Sequence, residues 1–305
     1  MNTRELQDEI MKLKKEKDVC ILAHAYQSPD IIDVANFTGD SYALSKLAAT
    51  APQKTVIMCG VRFMADTVKI LSPEKKVFIA NEEALCPMAD QLSIEDLRYL
   101  KKAHPDHIVC AYINTTTAIK TEVDLVVTSS SAKKILENTE EKNILFVPDQ
   151  NLGSWLKKQL PQKNMVLFPG GCPTHMRLRK EHILRMKEKH PNAKVLVHPE
   201  CLQEVSKIAD YVGSTTGIMN YAKESDANEF IIGTENSIVT HLQMACPDKM
   251  FYPVSKHCIC HNMKATSLTD VYNTLRGRGG KEILLDEETI KKARKPIDEM
   301  IKRGG

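Results

Sequence analysis

The stretch VLVHPEC, Val195–Cys201, is an apolar run that stops at a histidine, a proline and a carboxylate, and it has two echoes upstream. ILAHAYQ at Ile21–Gln27 and VCAYINT at Val109–Thr115 change from apolar to polar in the same way, with starts 88 residues (21 to 109) and 86 residues (109 to 195) apart. Self-similarity of this kind sets the architecture before any single element does. The remainder of the period repeats as well. FTGDSYALSKLA, VVTSSSAKKIL and YVGSTTGIMNYA each pass through a Gly/Ser/Thr turn into a helical pattern. VIMCGVRFMADTVKIL, ILFVPDQNLGSWLKKQL and EFIIGTENSIVTHLQMA read as strand, turn and helix, and VFIANEEALCPMA, MVLFPGGCPTH and MFYPVSKHCICHNM as a strand followed by a cysteine loop.

Short β-branched runs alternating with amphipathic segments are the pattern of a parallel sheet covered by helices. The chain therefore reads as α/β, with three α/β/α sandwiches over 1–86 (with an N-terminal helix), 87–172 and 173–263, and a helical segment, 264–305, that closes the fold. A pseudo-threefold arrangement of the copies would bring their loops to one central interface, each copy delivering one cysteine. Cys86 and Cys172 are 86 residues apart; beyond Cys172, Cys258 follows at 86 and Cys260 at 88, so spacing leaves the third member open.

Composition narrows the function. The 305 residues are 42% hydrophobic and 27% charged with a formal net charge of +3, too small and too dispersed for a nucleic-acid-binding surface. No run approaches a membrane span, and the N-terminus, with Leu6, Ile10 and Leu13 at helical spacing, lacks the apolar region of a signal peptide. A cytoplasmic protein is expected, and its nine cysteines are then buried thiols, metal ligands or catalytic groups rather than disulfides. Cys20, Cys59 and Cys110 lie in strand-like runs and read as core, and Cys201 and Cys246 carry no special signal; Cys86, Cys172, Cys258 and Cys260 are the informative ones.

Ligands of open parallel sheets bind where strands end and helices begin. The polar groups at those ends are His24 and Tyr26, Tyr112 and Asn114, and His198 and Glu200, each pair alternating on one strand face. Ser41, Ser129, Ser214 and Thr215 stand at helix starts, where capping and anion binding are compatible roles. His175 follows Cys172 by three residues. Taken alone, these are also the residues of ordinary capped turns. Three thiolates from three repeats suit an iron–sulfur cluster with one iron lacking a protein ligand, a Lewis acid. The competing reading is a zinc scaffold at His257, Cys258, Cys260 and His261, which crowds four ligands into five positions and strains tetrahedral geometry.

The motifs AHAYQ, GDS, GVRFMADTVKIL, ALCPMA, YINTT, TSSSA, PDQNLG, GGCPTH, VHPEC, GSTTG, IIGTE and CHNMK, in this order, resemble the quinolinate synthase family over nearly the whole chain. The resemblance implies three Rossmann-like domains about a pseudo-threefold axis and a 4Fe-4S cluster on Cys86, Cys172 and Cys260, the last chosen because its spacing to Met-Lys matches the family pattern. It implies condensation of iminoaspartate with dihydroxyacetone phosphate to quinolinate, with loss of phosphate and two waters, and a functional link to an enzyme that produces iminoaspartate. Tyr26, His198 and Glu200 then resemble proton-transfer groups, and His24, Ser41, Tyr112, Asn114, Ser129, His175, Ser214 and Thr215 substrate contacts, in a site with few cationic side chains. Ala25, Asp66, Ser131 and Thr174 depart from the family's usual residues, Ser131 being the one expected to alter packing or a substrate hydrogen bond. A different enzyme with three cysteines and a 4Fe-4S cluster, such as an isoprenoid diphosphate reductase, is the nearest alternative.

Overall fold

A computed structural model of the chain describes residues 1–304. The first sheet contains β1 (Val19–His24), β2 (Phe37–Gly39), β3 (Thr55–Cys59) and β4 (Lys76–Ile79). The second contains β5 (Ile108–Tyr112), β6 (Leu125–Val127), β7 (Asn143–Val147) and β8 (Asn164–Leu167), and the third β9 (Lys194–Val197), β10 (Tyr211–Val212), β11 (Glu229–Gly233) and β12 (Met250–Pro253). Their orders, β2-β1-β3-β4, β6-β5-β7-β8 and β10-β9-β11-β12, are one order three times. All these pairs are parallel, and the registers coincide. Leu22 faces Phe37, Cys110 faces Leu125 and Leu196 faces Tyr211; Ile21 faces Ile57, Val109 faces Leu145 and Val195 faces Ile231.

Side chains at matched positions hold that register. Asn36, Asp124 and Asp210 accept the backbone N–H of Ile21, Val109 and Val195 at 2.9, 2.8 and 2.8 Å, and each returns its own N–H to the same residue's carbonyl. A lysine just before each fourth strand does a second repeated job. Lys75 donates to the carbonyls of Ala48 and Ala51, Lys163 to Thr139 and Glu141, and Lys249 to Ala222, Lys223 and Ser225, satisfying the open C-terminal end of the helix that follows each second strand. Lys163 is itself buried. Lys163→Met strands those carbonyls and is expected to cost about 1.5–3 kcal/mol in urea unfolding, with no change in the m-value.

The closing segment holds a strand as well as the expected helical elements. Besides helices Leu268–Leu275 and Glu287–Gly304, a two-residue strand, Lys281–Glu282, pairs antiparallel with β4, so the first sheet has five strands and is mixed. The stretch RGRGGKE has no apolar alternation to announce a strand; Gly277 and Gly280, at φ +69° and +70°, turn the chain back instead. The helix Leu268–Leu275 also belongs to the repeat: it begins eight residues after Cys260, as Ile94–Ala103 does after Cys86 and Lys180–Lys189 after Cys172.

The chain divides into two compact units, one of 1–86, 116–122 and 260–298, the other of 87–115 and 123–259 with the end of the last helix. In the first, the N-terminal helix Thr3–Glu16, closed by an Asn2–Glu5 capping box, packs Ile10 against Val271 and Leu275. The second holds the other two sheets. Among the described residues, no helix is long and apolar enough to cross a membrane.

Candidate active site

Of the polar groups expected on strand faces, His24 and Tyr112 are the last residues of β1 and β5, and Tyr26, Asn114, His198 and Glu200 stand in the turns that follow. β1 ends at His24 and β9 at Val197, and the backbone N–H two residues beyond each histidine donates to its Nδ1: Tyr26 to His24 at 3.1 Å, Glu200 to His198 at 3.3 Å. That bond replaces the next rung of the ladder, so His24 and Tyr26 meet edge to face, 4.6 Å between centroids, through a turn rather than strand alternation. Of the helix-start hydroxyls only Ser214 is a cap, accepting the Gly217 N–H at 3.1 Å; Thr215 is the next residue. Asp40 caps the helix that Ser41 begins, and Ser129 lies two residues before Ser131, the residue at the head of its helix. Ser131 is buried and bonds Thr128 through both its hydroxyl and its N–H, so its role is to fold that turn.

Within the second unit, five predicted residues share one buried network. Tyr112 donates to Glu200 Oε1 at 2.5 Å, and His175 Nδ1 lies 2.8 Å from Glu200 Oε2 and 3.2 Å from Cys172 Sγ. His198 stacks on His175 with centroids 4.8 Å apart. Asn114 follows Tyr112 by two residues, just after β5, its Oδ1 buried with no hydrogen-bond partner among the described residues. Burial alone would raise the Glu200 carboxyl, but the charges of His198 and His175 and the bonds from His175 and Tyr112 hold it well below the usual carboxylate range. Burial and the Glu200 charge push the Tyr112 hydroxyl well up, so it stays a donor.

Asp149 and Thr234 complete the network, and the sequence reading passed over both. Thr234 Oγ1 meets His175 Nε2 at 2.9 Å. Asp149, fully buried, accepts the N–H of Leu152 at 2.7 Å through Oδ1 and that of Cys172 at 3.2 Å through Oδ2. In PDQN it looks like a helix cap, which it is; nothing local announces its second bond, 23 residues away. Burial, then the Glu200 charge, raises its carboxyl well above the usual range, against the N–H bonds from Leu152 and Cys172, and so opposite in direction to Glu200. Asp149→Asn leaves one of the two N–H groups facing an NH2 and is expected to cost about 1–3 kcal/mol in urea unfolding. A carboxyl raised in the fold stabilises below its unfolded pKa and loses that contribution as pH rises through the folded value, so that slope is expected to vanish in Asp149→Asn.

The first unit carries Cys86, Cys260, His24, Tyr26 and Ser41. It also contains a buried lysine that the sequence reading did not single out. Lys120 is fully buried over the Phe63 ring, and burial, against the charges of Asp66 and Cys86, lowers its ammonium to about 7. Asp66 is tied to Arg62 at 2.7 Å and to Thr117 at 2.9 Å. The Cys260 turn is fastened to the β1 turn: Gln27 Nε2 donates to the Met263 carbonyl at 2.7 Å and Lys264 Nζ to the Tyr26 carbonyl at 2.6 Å.

Backbone geometry identifies the structural counterpart of Cys86 and Cys172. The N–H groups of Arg62, Gln150 and Asn236, at one position of the three repeats, donate to the carbonyls of Ala84, Gly170 and Cys258. Cys258 therefore occupies the place of Ala84 and Gly170, and Cys260 that of Cys86 and Cys172. A 3-10 turn starts three residues after each of these: Ala89–Gln91, His175–Arg177 and Met263–Ala265. Cys86, Cys172 and Cys260 are half-buried, whereas Cys258 is in the core with Cys201. His257 and His261 are exposed, and among the described residues the one group of side-chain atoms placed to hold a metal is Cys172, His175 and Glu200, within 4.8 Å of one another.

Residues 8–302 match the family model NadA, described as Quinolinate synthetase A protein. A protein of Caldicellulosiruptor bescii named quinolinate synthase is 44% identical over 304 residues, covering all of both chains. Proteins of the same name from a Sulfurihydrogenibium species and from Aquifex aeolicus are 45% and 43% identical, over 99% and 98% of this chain and 99% and 94% of their own. The chain belongs to the quinolinate synthase family.

Proposed function

We propose that the chain is a quinolinate synthase of NAD biosynthesis, condensing iminoaspartate with dihydroxyacetone phosphate and releasing phosphate and two waters. The observation that carries this is identity of about 44% over the full length of relatives bearing that name. The donor set fits the cofactor of the family: Cys86, Cys172 and Cys260 are half-buried thiols at one position of three repeats, and would hold a 4Fe-4S cluster. With three protein ligands such a cluster offers one iron as a Lewis acid for loss of hydroxyl.

The chain's own groups manage protons and anions. Enamine formation, ring closure and dehydration each move protons, and an ionised Glu200 held between Tyr112, His175 and His198 is suited to accept and return them. Tyr26, with its backbone N–H on His24, serves as a second acid/base group. His24, Tyr112, Asn114 and His175 would contact substrate carboxylates and the carbonyl. Ser41, Ser129, Ser214 and Thr215 offer hydroxyls for phosphate and carboxylate, Ser214 beside the N-terminus of Thr215–Glu224. The reaction is redox-neutral, which separates it from reductive diphosphate chemistry. Because iminoaspartate hydrolyses, an aspartate-oxidising enzyme would have to supply it nearby in the cytoplasm.

The deciding assay is anaerobic quinolinate formation from the two substrates with no reductant present. Turnover that needs an electron donor, or no quinolinate from protein reconstituted anaerobically with iron and sulfide, would overturn the reading.

A further inference from the structure

Cys172 Sγ, His175 Nδ1 and Glu200 Oε2 turn lone pairs toward one another, the imidazole nitrogen 3.2 Å from the sulfur and 2.8 Å from the oxygen. One proton on Nδ1 can bridge the imidazole to the carboxylate. A doubly charged cation would satisfy all three and balance the thiolate and carboxylate charges. One thiolate, one imidazole and one carboxylate form a borderline-soft donor set, and three protein ligands with a fourth position open is a familiar arrangement for zinc.

The surroundings match those of a metal site more closely than a chance cluster would. Metal-bound imidazoles usually engage a partner at their other nitrogen, here Thr234 Oγ1 at 2.9 Å on Nε2. The carboxylate is oriented through its other oxygen by Tyr112 at 2.5 Å. The Cys172 N–H is anchored on Asp149, fixing the turn that carries the sulfur. His175 and Glu200 are 2% and 4% exposed, and Cys172 is half-buried.

We propose that, in the chain without its cluster, Cys172, His175 and Glu200 form a separate mononuclear site for a divalent cation of borderline softness, such as Zn2+ or Fe2+. Binding displaces the proton held among the three atoms and keeps the metal's charge in place of it, with no change of oxidation state. Cys172 is thereby removed from the set of three thiols, so Zn2+ at this site holds the chain in a form that cannot load iron and sulfide.

The probe is Co2+ added anaerobically to cluster-free full-length protein. One equivalent is expected to bind with a sulfur-to-cobalt charge-transfer band and tetrahedral d–d absorption. The band is lost in Cys172→Ser, and affinity falls in His175→Ala and, by about tenfold, in Thr234→Val. The Cys86→Ser/Cys260→Ser double variant keeps the full signal, which shows that folding and this site survive without the other two thiols. Persistence of the band in Cys172→Ser, its loss in the double variant, or no binding at all would overturn the proposal. The iron and sulfide content of the wild-type holoprotein is read separately, so failure of the cluster reading and failure of this one are distinguishable.

Discussion

Cys86→Ala, Cys172→Ala and Cys260→Ala are each expected to abolish quinolinate formation and to strip most iron and labile sulfide from anaerobically reconstituted protein, while Cys258→Ala keeps both. The contrast rests on position rather than residue type. Cys86, Cys172 and Cys260 each sit two residues after a carbonyl tied to the helix that follows the third strand, and Cys258 supplies one of those carbonyls itself. Its side chain is 1% exposed and packs in the third repeat's core, so truncation removes one small buried group and costs about 1 kcal/mol of stability. A full cluster in Cys260→Ala, or its loss in Cys258→Ala with the fold intact, would move the third ligand by two residues.

Glu200→Gln is expected to lower kcat by about 100- to 10,000-fold with little change in iron content. The carboxylate is the buried negative charge of the second unit's network, and its depressed pKa keeps it ionised across the working range. Glutamine retains the shape, and its carbonyl still accepts from Tyr112, but it has no basic oxygen for a substrate proton and turns an NH2 toward His175. For the same reason the wild-type pH profile should show no acid limb from this group near the ordinary carboxylate value: a folded pKa depressed below that value leaves the base active until strong acid. Substantial kcat in Glu200→Gln, or an acid limb near pH 4–5 that disappears in it, would assign the proton transfers elsewhere.

Much of this was legible in the sequence because strand–turn–helix units repeat their hydrophobic pattern, and the strands fell where VLVHPEC and its echoes put them. Spacing could not separate Cys258 from Cys260 because the loop from fourth strand to cysteine differs in length: ten residues from Lys76 to Cys86 and from Met250 to Cys260, eight from Asn164 to Cys172. The strand registers are the same in all three copies, so the extra length is confined to the loop that follows the fourth strand. Asp149, Lys120 and the strand Lys281–Glu282 were missed for a common reason. Each is defined by a partner distant in sequence: the Cys172 N–H, the Asp66 charge, the edge of β4. A local pattern of polarity carries no trace of such partners.

That short strand has a consequence for the order in which the molecule is made. Every other strand pairing closes over 15, 21 or 36 residues, as between Leu22 and Phe37, Thr55 and Lys76, or Ile21 and Ile57. Such local pairings form soon after their strands leave the ribosome. The pairing of Lys281 with Ile79 spans some 200 residues, and the helix Thr3–Glu16 likewise waits for Leu268–Leu275. The first repeat to be synthesised is thus the last to be finished. Until residues 268–282 emerge, the edge of β4 stays unpaired and Ile10 lacks the helix it is buried against, which leaves this part of the nascent chain exposed to misassembly.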